Sequence, residues 1–109
     1  MQRRHIYHLV SPSFWDAVVG ATYSAASLVK EGFIHCSNAD QVAASANRFY
    51  AGHDALLVLE IDVERLQSPL QDEASGSGEL FPHVYGPIER DAVVRVHALL
   101  RGPDGRWTF

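Results

Sequence analysis

A chain of 109 residues has the length of one domain, and 47% apolar residues are enough for a single core. Thirteen acidic against nine basic side chains leave a formal charge of -4, which argues against a general nucleic-acid binder and is too mild to indicate disorder. One cysteine, Cys36, excludes an intrachain disulfide, and the longest apolar run, Ala55 to Leu59, falls far short of the about 20 residues that cross a bilayer. A soluble cytoplasmic protein is expected, with no nucleic-acid or membrane partner and an oligomeric state the sequence leaves open.

His5 to Val10 reads as a first strand, with Ile6, His8 and Val10 on one face. Ser11-Pro12 is a helix start, serine as N-cap and proline at the first helical position. Phe14, Trp15, Val18 and Val19 then recur at helical spacing, and Gly20 ends the segment. Tyr23 to Leu28 reads as a loop with a short turn. Phe33 to Cys36 is a second strand, with Phe33, His35 and Ser37 on one face. Ser37 or Asn38 caps a helix that runs to about Tyr50, burying Val42, Ala43, Ala46 and Phe49.

Leu56 to Val63 is apolar almost throughout, the pattern of a central strand. Glu64 to Leu66 reads as a turn and Leu70 to Glu73 as a short strand. Ala74 to Gly78 has the composition of a flexible loop. Phe81 to Tyr85 is extended and is broken by Gly86-Pro87. Ala92 to Arg101 alternates as a strand, and Gly102 to Gly105 is a turn that returns Arg106 to Phe109 as a hairpin strand. The class is α+β: a single domain with two main helices on a mainly antiparallel sheet of about five to seven strands.

Histidine stands in apolar, strand-like sequence three times, at His8, His35 and His83. Imidazole titrates near neutral pH, binds metals and both donates and accepts hydrogen bonds, so convergence of the three would make a site. For His8 the plain alternative is a core histidine that bonds a backbone carbonyl. His35 precedes the expected helix start, whose free N–H groups offer an anion-binding point beside Ser37; alternatively Ser37 only caps its helix. His83 and Tyr85 lie in a segment stiffened by Pro82 and Pro87, beside the flexible loop, as a site wall beside a lid or as a structural corner.

Other readings are weighed on the same residues. The three histidines could hold zinc with an open position, although the short ligand spacings of a metal motif are absent. Cys36 points to the opposite strand face from His35 and reads as a small buried residue. Glu31, Glu60 and Glu73 are the acidic candidates. His5, His53 and His97 read as ordinary surface residues.

Ile-Tyr-His near the start, Ser27 to Ser37, Gln41, Asn47 to Tyr50 and Phe81 to Pro87 together resemble a widespread bacterial family of about this length, classed as a domain of unknown function. The order of elements is more distantly similar to the ADP-ribosyltransferase superfamily. That resemblance implies an NAD-like or ADP-ribose-like ligand. It gives His8 the role of the first-strand histidine that contacts it and puts His35 near the stacking position of the second motif. His83 or Tyr85 stands in the region of the third-motif glutamate, and Leu9 replaces the glycine that usually follows the histidine.

The expected site is therefore His8, His35 and His83 as catalytic residues, with Ser37, Tyr85 and Gly86 binding a nucleotide-like small molecule. The expected chemistry is transfer or hydrolysis at a ribose. A metal-dependent hydrolase using the same histidines and a non-enzymatic interaction domain are the alternatives.

Overall fold

Alternating burial along His5–Val10 makes β1, in which Ile6, His8 and Val10 turn inward. The computed structural model describes residues 3–109. Ser11 accepts a hydrogen bond from the Phe14 N–H at 3.3 Å, and Pro12 opens the one-turn helix α1, Pro12–Asp16. The helix is shorter than its apolar stripe implies, because Phe14 and Val19 stay exposed. Strand β2, Thr22–Tyr23, leads to a second short helix, α2, Ala26–Glu31, where a loop was expected. Gly32 closes it with a left-handed backbone (φ 88°), the conformation glycine adopts most readily.

Strand β3 is only Ile34–His35, followed by a bridge between Tyr7 and Ser37. A 3-10 turn, Ala39–Gln41, then enters helix α3, Val42–Phe49. Strand β4, Leu57–Asp62, lies between β1 and β8, Val93–Ala98. Strands β5, Leu70–Ala74, and β6, Leu80–Val84, form a hairpin that β3 extends on the β6 side. Strand β7, Ile88–Glu89, pairs with β2, and β9, Leu100–Arg101, pairs with β10, Trp107–Thr108.

The α+β class thus stands, but the described residues make ten short strands in four antiparallel sheets and three α-helices, more and smaller pieces than expected.

Strand β4 is apolar except at Glu60 and Asp62 because it is buried on both faces. Leu59 and Ile61 join Ile6, Val10, Tyr23 and Ile34 in one core. Val58 joins Val42, Ala46, Leu56, Leu99 and Trp107 in a second, under α3. Leu9 and Tyr7 of β1 pack on this second core, so β1 and β4 are the partition between the two.

Candidate functional site

A cleft of about 860 Å³ opens where the two cores meet, with residues from β1, β3, β6, α2 and α3 in its walls. His8, His35, His83 and Ser37 all line it. The volume lies in the range of small-molecule sites, roughly 300–1,000 Å³.

His8 is buried on the inward face of β1. Its Nδ1 lies 2.6 Å from the carbonyl oxygen of His35, so that nitrogen carries the proton and donates it. Nε2 therefore accepts, and the Tyr23 hydroxyl donates to it at 2.7 Å. Burial pulls the His8 pKa down from 6.5 to about 4, so the ring is neutral at physiological pH. Burial likewise pushes the Tyr23 hydroxyl upward. With both nitrogens engaged, His8 ties β1 to β3 and β2 rather than offering a proton to a ligand.

His35 and His83 are direct partners in the β3–β6 register, with ring centroids 5.3 Å apart. Each is backed by a carboxylate. His35 Nε2 lies 2.8 Å from Glu31, the last residue of α2. His83 Nδ1 lies 2.9 Å from Glu73, which sits diagonally across the β5–β6 ladder. The Phe33 ring stacks on His83 at 4.1 Å and 17° and fixes its plane. His83 Nε2 has no partner among the described residues. No fully buried side-chain nitrogen there lacks one, so this nitrogen is open to solvent. His35 Nδ1 is open as well, on an exposed side chain.

Tyr85 and Gly86 are not among the cleft-lining residues. The Tyr85 hydroxyl donates to the same Glu73 oxygen that His83 bonds, which places it behind the histidine. That bond, with the one from His83, holds the Glu73 carboxyl below its ordinary range and raises Tyr85. Gly86 backs onto Ser68: a Cβ there would stand 2.4 Å from Ser68 Oγ. The missing side chain leaves room for that of Ser68.

At the expected anion point the Ser37 and Asn38 N–H groups are taken. The Ser37 N–H donates to the Tyr7 carbonyl at 2.7 Å, and the Asn38 N–H donates to Gln41 Oε1 at 2.9 Å. Ser37 does not cap the helix; its hydroxyl reaches Ser45 at 3.5 Å. The expected flexible loop is also held. Gln41 Nε2 donates to Glu79 at 2.9 Å and to the Leu80 carbonyl at 2.8 Å, and the Ser75 N–H donates to the Glu79 carbonyl at 2.9 Å.

Cys36 is buried, and burial pushes its thiol up to about 12, which removes it as a thiolate nucleophile. Among the described residues no group of three or more His, Cys, Asp or Glu side chains stands in a metal-holding arrangement. The three-histidine zinc alternative fails here for a specific reason: the His8 nitrogens already bond His35 and Tyr23. The three acidic candidates all bond histidines, Glu31 with His35, Glu73 with His83, and Glu60 with both His5 and His97. Arg48 and His53 also line the cleft, and sequence reasoning passed over both. His53 read as an ordinary surface residue, and Arg48 falls outside the stripe the helix was expected to bury.

The family whose model matches this chain, over residues 9–96, is described as a protein of unknown function (DUF952). The X-ray structure of protein CC0527 from Caulobacter crescentus is 32% identical, with a TM-score of 0.84 over 95% of this chain and 93% of that one. The solution NMR structure of CC0527 is 31% identical, with a TM-score of 0.73 over 94% of this chain and 90% of that one. No curated protein matches.

Proposed function

The chain belongs to the DUF952 family, and from the chemistry of its cleft we propose that it binds a nucleotide or ADP-ribose-like small molecule and carries out transfer or hydrolysis at the ribose. One observation carries this reading: His35 and His83 stand face to edge across one strand pair, each with a carboxylate on one ring nitrogen and the other nitrogen open. Such a pair suits acid–base work, because the carboxylate fixes the tautomer and orients the ring.

His83, with its proton on Nδ1 toward Glu73, presents Nε2 as the base. An attacking water or hydroxyl forms its bond to the anomeric carbon and gives its proton to that nitrogen. The bond from this carbon to the leaving group breaks, and the leaving group departs with the electron pair. A leaving group that needs a proton takes it from Nδ1 of His35 in its doubly protonated form, which keeps the other proton on Nε2 toward Glu31. Aromatic side chains in the walls, among them Phe14, Phe33, Phe49 and Phe81, suit a planar base. The resemblance of the sequence's expected element order to ADP-ribosyltransferases implies the same ligand class.

Titration of the labelled protein with NAD, ADP-ribose, ADP and AMP, followed by the ring resonances of the histidines, tests the reading. Shifts at His35 and His83 are expected for at least one ligand. His35→Gln and His83→Gln should retain binding and lower turnover by about 10²–10⁴-fold. A panel that leaves every histidine resonance in place overturns the proposal.

A further inference from the structure

We propose that Arg48 is an anion anchor in this cleft, and that the ligand carries a phosphate or pyrophosphate set apart from the atoms facing His35 and His83. The inference rests on the nucleotide reading above and narrows it to phosphorylated nucleotides.

Arg48 stands in the last turn of α3 and is the one lysine or arginine among the lining residues. Arg95 and Arg106 also lack a side-chain partner among the described residues but do not line the cleft, and the remaining arginines are committed. Arg3 pairs with Asp72, Arg4 and Arg65 with Asp62, and Arg101 donates to the Ala51 and Gly105 carbonyls. Arg48 makes no hydrogen bond or ion pair among the described residues; its guanidinium lies over the Phe49 ring, 5.2 Å from the centroid. A guanidinium fork matches phosphate oxygens two at a time, so an unengaged one in a concave wall is suited to that group. In a chain of net charge -4, a bound anion needs such a local cation. Glu79 also lines the cleft, but its carboxylate accepts from Gln41.

The spacing separates anchor from chemistry. Ser37 follows His35 by two residues, about 7 Å along an extended strand. The Ser37 hydroxyl meets Ser45 on α3 at 3.5 Å. Arg48 lies three residues beyond Ser45, a same-face neighbour at about 5–6 Å between Cβ atoms. The guanidinium is thus reached from the histidine pair along a polar track of two serines. The group it holds is a remote part of the ligand, contributing affinity rather than chemistry. Phe49, 66% exposed at the same wall, gives an aromatic face beside the anchor.

Calorimetric titration of the whole chain with adenosine, ADP and inorganic pyrophosphate tests this. Wild type should bind ADP at least about tenfold more tightly than adenosine, and pyrophosphate should compete with ADP. Arg48→Gln should lose that preference while binding adenosine as wild type does; Arg48→Lys, which keeps the charge without the fork, should retain part of it. If Arg48→Gln keeps the wild-type ratio, or if wild type binds neither ADP nor pyrophosphate, the anchor is overturned. Equal binding of ADP and adenosine by both proteins leaves the nucleotide reading standing and removes the anchor. Pyrophosphate binding lost in Arg48→Gln, with adenosine silent and ADP no tighter than pyrophosphate, supports the anchor and removes the nucleotide reading.

Discussion

In the folded chain His8 carries its proton on Nδ1, and both ring nitrogens are already bonded. A second proton on Nε2 would face the Tyr23 hydroxyl, which would have to stop donating and find another acceptor in a buried setting. Burial of the ring, which disfavours its charged form, lowers its proton affinity in the folded chain from a pKa of 6.5 to about 4. Above the unfolded value both states are neutral and the fold keeps its full stability. As pH falls between the two values only the unfolded chain takes up the proton, so stability is lost, and the loss is complete below about 4. The whole effect is roughly 3 kcal/mol, a large part of a typical domain's stability. Urea denaturation at a series of pH values should show this fall. His8→Asn, destabilised at neutral pH, should be nearly flat over the same interval. An equally steep fall in His8→Asn would remove His8 as its source. The alternating pattern of His5 to Val10 made His8's inward position legible, and the carbonyl bond was one of its two readings. Its second partner was not legible, because Tyr23 comes from a two-residue strand with no periodicity of its own.

Element by element, legibility followed strength of local signal. Strand β4 and the Ser11-Pro12 helix start were plain because burial on both faces and capping chemistry leave direct traces. Helix α2 was missed because Ala25 provides no capping side chain and Val29 is 89% exposed, so neither cap nor stripe marks it. The Glu73–His83 pair depends on the β5–β6 register, which distant residues set. The hairpin joining those strands was misread for a related reason: serine and glycine suggest freedom, but a side chain from elsewhere restrains them. Gln41 is that side chain, bridging Asn38, Glu79 and the Leu80 carbonyl. Gln41→Ala should cost roughly 2 kcal/mol, since it leaves a half-buried amide and carbonyl without their partners. It should also speed hydrogen exchange at the Ser75 and Gly78 amides, which close the turn. Unchanged protection of those amides would mean that the turn holds itself.

For the molecule as a whole, acid acts through a second device on the opposite side of the partition. Glu60 sits in the middle strand of β1-β4-β8, and its two oxygens bond His5 of β1 at 2.6 Å and His97 of β8 at 2.7 Å. One carboxylate thereby cross-links three strands. The His97 hydrogen bond is the main reason its carboxyl sits below the ordinary 4.5; desolvation opposes this, and His5 adds to it. A depressed carboxyl contributes stability that is present above its unfolded value and is lost as pH falls through the folded one. Loss through Glu60 therefore begins where loss through His8 is ending, and the domain should weaken in two successive stages. General charge repulsion does not explain the onset of the first stage. Between pH 7 and the isoelectric point near 5.8 the net charge falls from -4 toward zero, which reduces self-repulsion. Glu60→Gln removes the anionic acceptor and should cost about 1 kcal/mol at neutral pH. Below the folded value of Glu60 the wild type has lost the same charge, so the two stability curves should converge there. The first stage should survive in Glu60→Gln, and the second should survive in His8→Asn. Denaturation midpoints for the three proteins, from about pH 8 to about pH 3, separate the stages. If the Glu60→Gln curve instead runs parallel to wild type down to the acid limit, its carboxylate is not the second device, and other carboxylates, Asp62 first among them, carry the acid response.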